Sequence, residues 1–454
     1  MGNVLSEMKY ANLQVEIEKV TMGIRSFITT SLIASLGLLS VATDRVLRHG
    51  SPESVGLLPE PLLQLPVNLS QYTHPANYGS HSYGKVHPIL PGGSVMVGHK
   101  STVVSSFAFG NISLYADANG TLLPSDKWLP ARMDTMYDMA SLTKIFTAVA
   151  VLRAIDDGSL DYRKPVATYL PEFAANGKSN VTILMLLTHT SGFPADPEPG
   201  LYDPIYKTMQ QRVDAIITHK LANAPGSTYT YSDLNFMNLR YILERITKTP
   251  FEELVYSFTK ELGMTSTVFN KGNIGADSFP YYSQMAPTEY QIEVLGDAEP
   301  ERPQPVRGTV HDENAWALDG ISGHAGLFSS VGDVSILCQM ILNNGTYNGK
   351  RILSPRSVDL MFINFNTKFP GDEHSIGFEL NQFYFSGPMA NIRAGGHTGF
   401  TGTSLVVDRN SDTFFVILAH SVHPNRTWSS NNIVRETVGY WVARSLGRDV
   451  TFPP

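Results

Sequence analysis

The sequence predicts an α/β (α+β) fold: an antiparallel sheet formed from both chain ends, with flanking helices and a mostly helical region inserted between its halves. Three observations carry this. GGSVMVGHKSTVVSSFAFG (92–110) reads as two strands with a turn near Gly98-His99-Lys100. GTSLVVDRNSDTFFVILAH (402–420) reads as a hairpin around Arg409-Asn410-Ser411-Asp412. Between them, from 141 to about 265, the helical period dominates.

Taken in order, residues 1–42 form an N-terminal extension. Its apolar run FITTSLIASLGLLSVA, Phe27–Ala42, is too short and too rich in Ser and Thr for a stable membrane span. It reads as a signal-peptide core, with Arg25 as its basic start and Ser40-Val41-Ala42 suiting the small-residue cleavage rule. The expected protein is therefore secreted, with translation beginning upstream of the functional start at Met22. A rival reading is MGNVLS at Met1, an N-myristoylation pattern that would leave the protein cytoplasmic or lipid-anchored. Sequons at Asn68, Asn111, Asn119, Asn180, Asn344 and Asn425 agree with secretion and a glycoprotein. Residues 43–90 are rich in Pro, Gly, His and Tyr and read as a loop-rich segment around a larger core. Residues 91–454 then make one domain, with its helical insert at about 141–320.

Within that domain, MASLTKIFTAVAVLRAIDDGSL (139–160) is a helix whose apolar stripe runs Leu142, Ile145, Phe146, Val149, Leu152, Ile155, with Gly158 as its left-handed stop. VTILMLLTH, QRVDAIITHK and LNFMNLRYILERIT continue the helical period. Residues 266–320 are irregular, as an active-site loop would be. VGDVSILCQMILNNG (331–345) is an amphipathic helix ended by Asn-Gly, and NNIVRETVGYWVARSLG closes the chain as another.

Composition excludes several classes. Hydrophobic residues make up 42% and charged residues 17%, as in an ordinary globular chain, and the net charge of −7 with no basic cluster excludes a nucleic-acid partner. The one cysteine, Cys338, excludes an internal disulfide and a thiolate metal cluster. Of the remaining polar groups, His311, Asp312, Glu313 and His324 in VHDENAWALDGISGH match no zinc spacing, so neither metal nor cofactor is expected.

Ser-x-x-Lys occurs as SEMK, SYGK, SLTK and SFTK, so the pattern alone is uninformative. Ser6 lies in the charged extension, Ser82 in a loop, and Ser257 mid-helix. Only Ser141 opens a strongly apolar helix, where free N–H groups and the positive dipole end stabilise negative charge. Lys144 follows one turn later, where a desolvated amine can act as base. Ser141 also suits an N-cap, so cap and nucleophile both stand on its position. A nucleophile needs company, and two further clusters supply it: Tyr231-Ser232-Asp233 after a Pro-Gly turn, and His397-Thr398-Gly399 leading into a strand. Asp233 equally suits a cap of the following helix, His189 reads as a satisfied loop histidine, and Trp316 and Phe400 as pocket lining or core.

SLTK, YSD and HTG in this order resemble the signature of the serine β-lactamase and penicillin-binding protein superfamily, Ser-x-x-Lys, a second polar triad and Lys-Thr-Gly. LMLLTHTSGF (184–193) and SGHAGLFSSVGD (322–333) are similar to stretches of its class C and esterase branch. Tyr231 follows Ser141 by 90 residues, and His397 follows Tyr231 by 166, intervals like those of class C. The resemblance covers roughly 90–420 and implies a β-lactamase/transpeptidase-like fold and a serine hydrolase working on small acyl substrates through a Ser141 acyl-enzyme. It implies that Lys144 and Tyr231 share the proton traffic, Tyr231 needing a phenol pKa lowered by Lys144. It implies an oxyanion hole from the N–H groups of Ser141 and Phe400, and substrate lying along Thr398 and Gly399.

Two positions depart from the pattern. Asp233 stands where lactam-processing members carry Asn, and an ionised Asp only accepts. His397 stands where they carry Lys. Both departures point away from β-lactams and toward esters, with an acyltransferase of secondary metabolism, a D-aminopeptidase or weak β-lactamase, and a catalytically dead binding protein as alternatives.

Overall fold

β-Branched and aromatic residues at period two build the centre of the protein. In this computed structural model, residues 45–291 and 302–451 are described, and Val46 onward forms one compact unit. The signal-peptide and myristoylation readings concern residues outside the described ones. The first helix, α1 (Pro59–Ser70), precedes strands β1 (Gly92–His99) and β2 (Thr102–Ser113). Lys100 and Ser101 join these strands with φ of 48° and 67°, the positive values a tight two-residue hairpin needs. Next come α2 (Thr143–Asp156), α3 (Asp233–Thr247) and α4 (Val331–Leu342). Strands β3 (Ala394–Thr398), β4 (Ser404–Asp408) and β5 (Thr413–Ala419) and the last helix, α5 (Asn432–Ser445), complete the chain.

The strands run β2-β1-β5-β4-β3, antiparallel throughout, so both chain ends meet where β1 pairs with β5. Phe415 lies opposite Val97 on one side and Val406 on the other. Short segments extend the edges to eight strands: Arg48–His49 parallel to β2, Leu129–Pro130 also on β2, and Glu379–Leu380 beside β3. Every residue of β5 is buried, because both faces of the sheet are covered. Phe414, Val416 and Leu418 point to a core shared with α2, α3 and α4, while Phe415, Ile417 and Ala419 point to one shared with α1 and α5.

Two local expectations change. The segment 43–90 carries a 12-residue helix, α1, with Leu62, Leu65 and Leu69 buried against the sheet. Its prolines look like loop punctuation, yet Pro59 sits at the first turn, where a missing N–H costs nothing, and only Pro66 lies inside. The helix expected from 141 begins as a 3-10 turn, Ala140–Leu142, and becomes α-helical at Thr143. It buries far more than one stripe: Ala148 and Val151 are as inaccessible as Ile145 and Val149, because α2 is sandwiched between the sheet and the helical region. No helix among the described residues is long and apolar enough to cross a membrane.

Candidate active site

The turn into α2 starts with an unusual backbone. Ala140 has φ of 45°, a left-handed conformation worth about 1–2 kcal/mol of strain in a residue with a side chain. It is held by Asp138, whose Oδ1 accepts the Ala140 N–H at 2.8 Å and whose Oδ2 accepts the His311 N–H at 2.6 Å. This places Ser141 on the wall of a cleft of about 810 Å³ instead of at a cap, and no side-chain cap forms there. Its Oγ instead accepts from Lys144 Nζ at 2.8 Å.

Lys144 is wholly buried, and its Nζ has three polar neighbours. Besides Ser141, Nζ donates to the His324 carbonyl at 3.3 Å and lies 2.7 Å from Asp233 Oδ1. It also sits 4.8 Å from the centre of the Tyr231 ring. The three-residue offset within one helix brings Ser141 and Lys144 together, and the first residue of α3 brings Asp233. Asp233 is therefore the counter-ion of the lysine. It does not cap α3, whose N-cap is Ser232, and the carboxylate edge left over faces the cleft.

Tyr231 lacks the lowered phenol pKa that acting as a base would need. Burial and the neighbouring Asp233 carboxylate raise its phenol well above the ordinary value, and a polar contact with Ser141 opposes this only in part. At neutral pH the group is a phenol, a proton donor. His189 packs flat on its ring at 4.5 Å between centroids, while His189 Nδ1 accepts the Ser232 N–H at 3.0 Å. The loop histidine thus fixes the tyrosine and the start of α3 together.

His397 is 2% exposed, with Nδ1 2.7 Å from the Thr398 carbonyl. Burial, reinforced by the Lys144 charge, pushes its imidazole down to about 3. It is neutral, as its replacement of lysine implies. Thr398 and the ring of Phe400 line the cleft; Phe400 is 60% exposed and stacks on His311 at 5.6 Å. Gly399 does something other than make room for substrate. A Cβ there would lie 2.5 Å from the Met139 carbonyl oxygen and 2.1 Å from Thr403 Oγ1, so glycine lets the end of β3 close on the turn that carries Ser141. Trp316 is not part of this cleft: it packs with Val310, Ala315 and Ala325.

Sequence reasoning gives no role to His324 and Asp312. Besides the carbonyl that receives Lys144, His324 offers Nε2 at 3.0 Å from Asp312 Oδ1 and 4.0 Å from Asp233 Oδ2. Burial works against its imidazolium, but the two carboxylates outweigh that and raise its pKa. Asp312 is held below the usual carboxylate range, its own burial being overcome by His324. The SGHAG stretch carries the one available signal, a small-residue loop: a Cβ on Gly323 would lie 2.1 Å from the Phe236 carbonyl, so this loop lies directly on α3. Asp233, Asp312 and His324 bring ligand atoms within 4.8 Å of one another, the grouping a cation would need. Their charges are already committed to Lys144 and to each other.

The family model described as Beta-lactamase matches residues 87–439. An Escherichia coli K12 protein named "Putative D-alanyl-D-alanine carboxypeptidase" is 30% identical over 420 residues, covering 88% of this chain and 91% of that one. A penicillin-binding protein homologue from Caulobacter crescentus superposes with a TM-score of 0.59 at 17% identity, covering 85% and 99% of the two chains. EstCE1, a hydrolase with promiscuous acyltransferase activity, gives 0.60 at 20% identity, covering 84% and 99%. These two structures share the fold.

Proposed function

The chain belongs to the Beta-lactamase family, of serine β-lactamase and penicillin-binding protein fold, and from that premise we propose that it is a serine hydrolase that cleaves small esters through an acyl-enzyme on Ser141. The observation that carries this is the triplet Ser141–Lys144–Asp233, linked at 2.8 and 2.7 Å on the wall of the cleft.

The proton path follows the placement of Ser141, Asp233 and Tyr231 around Lys144 Nζ. As Ser141 Oγ bonds to the acyl carbon, its proton moves to Lys144 Nζ, and Lys144 releases one of its own protons to Asp233 Oδ1. The carbonyl oxygen becomes an oxyanion facing the N–H groups of Ser141 and Phe400. Collapse breaks the bond to the leaving oxygen, which takes the phenol proton of Tyr231; Lys144 refills the phenol and recovers a proton from Asp233, so the ammonium–carboxylate pair is restored. Water then repeats the sequence on the acyl-enzyme. Here Asp233 is an acceptor in the relay, a role that asparagine cannot fill. The test is steady-state hydrolysis of p-nitrophenyl butyrate. Ser141→Ala and Lys144→Met should each lose about 10³-fold or more in kcat/KM, and Ser257→Ala should match the parent. Retention of parent activity in Ser141→Ala sinks the reading.

The curated relative's name brings a second reading, a carboxypeptidase acting on D-alanyl-D-alanine ends. Against it stands the neutral His397, which holds no fixed charge for a terminal carboxylate. We also propose export, supported by the apolar run Phe27–Ala42 and the sequons. Protein from its native host should then begin near Thr43, and an acylated Gly2 would overturn that.

A further inference from the structure

The charge inventory of the cleft, resting on the Ser141 reading, points to the kind of substrate. Three lining carboxylates already have cations: Asp233 has Lys144, Asp312 has His324, and Glu313 has Arg426 at 2.6 Å. Glu379, Asp372 and Glu373 form one side of the cleft and make no ion pair among the described residues. Arg426 is the one arginine among the described lining residues, and it is shared between Glu313 and Glu289. A substrate carboxylate entering this cleft meets no uncommitted cation.

His397 gives a second, independent observation. Its Nδ1 faces the Thr398 carbonyl, which only accepts, so Nδ1 carries the hydrogen. Nε2 is then a bare lone pair on a 2% exposed ring that lines the cleft, with no hydrogen-bond partner among the described residues. Glu379 lines the same cleft, with Oε2 accepting from Tyr384 at 2.8 Å. This wall presents acceptors to the ligand, where the Lys-Thr-Gly pattern would present a cation.

We propose that the protein takes substrates bearing a primary ammonium group, which donates to His397 Nε2 and is balanced by Glu379 and Asp372. Burial lifts the Glu379 carboxyl to about 7, so a bound ammonium would draw it toward ionisation.

The test compares p-nitrophenyl esters of 6-aminohexanoic acid, heptanoic acid and adipic acid, a set matched in length and differing in end-group charge. In parallel, n-hexylammonium, hexanol and hexanoate are titrated calorimetrically into Ser141→Ala protein, which separates recognition from turnover and from which side of the ester carries the charge. The amino ester should exceed the heptanoate by about tenfold or more in kcat/KM, with the adipate slowest, and hexylammonium should bind tightest by a similar factor. Glu379→Gln and Asp372→Asn should each shrink the ammonium-to-neutral ratio. If no ester is turned over, the acyl-enzyme reading fails, and the titration still decides this inference. Hexylammonium binding no tighter than hexanol, or a preference for the carboxylate, overturns it.

Discussion

Asp233 is the residue on which the chemistry turns. An amide in its place keeps the shape but accepts no proton from Lys144, so Asp233→Asn should lower kcat on p-nitrophenyl butyrate by about 10²-fold or more with KM little changed. An unchanged kcat rules out the relay. Tyr231 is separable from it by leaving group. Tyr231→Phe should slow ethyl butyrate much more than p-nitrophenyl butyrate, because p-nitrophenoxide departs without a proton. Equal losses on the two esters would remove the proton-donor role. Glu379 gives a stability prediction with a definite sign. Its carboxyl sits at about 7 in the fold against an ordinary 4.5. The folded state therefore binds the extra proton, and stability falls as pH rises from the lower value through the upper one. Glu379→Gln has no charge to bury, so it should be more stable than the parent by about 1–3 kcal/mol near pH 8 and equal to it near pH 4. Thermal melts at the two pH values check this; a variant less stable near pH 8 contradicts the burial argument. What was legible at this scale was whatever sat within one turn or one motif, as with Ser141 and Lys144. The partnership of Asp233 with Lys144, and the place of His324 beside both, depends on three separate segments meeting, which no local spacing encodes.

At the scale of elements, two docked loops hold the site. The end of β3 is tied to the nucleophile turn by Thr401 Oγ1 donating to the Asp138 carbonyl at 2.8 Å and Thr403 Oγ1 donating to the Met139 carbonyl at 3.1 Å. Behind it, the buried Arg435 of α5 donates to the Gly399 and Thr403 carbonyls, each at 2.9 Å. Gly399→Ala forces a methyl against the Met139 carbonyl, so it should cost about 1–3 kcal/mol and displace Ser141 as well. Its kcat/KM should fall further than that of a core variant of equal melting temperature, such as Val416→Ala; matched losses would show a purely global effect. The hairpins and long helices were readable because period and turn chemistry agree. The helix α1 was not, because prolines at its start and middle imitate a loop while its buried leucines need the sheet to reveal their face.

For the whole molecule, the sheet made from both chain ends acts as the scaffold, and its two faces bury separate cores. The site lies on the α2 side, yet α5 on the other side braces it through Arg435. Damage to the far core should therefore reach the chemistry through stability before geometry. Leu65→Ala, at a fully buried position of α1, should lower stability by about 2–5 kcal/mol while the folded fraction keeps parent kcat/KM. The most direct test of the central claim is intact-mass and peptide analysis after treatment with a fluorophosphonate. The account predicts one adduct, on the peptide carrying Ser141, present in the parent and in Ser257→Ala and lost in Ser141→Ala. An adduct that persists in Ser141→Ala, or one found on another serine, would contradict it.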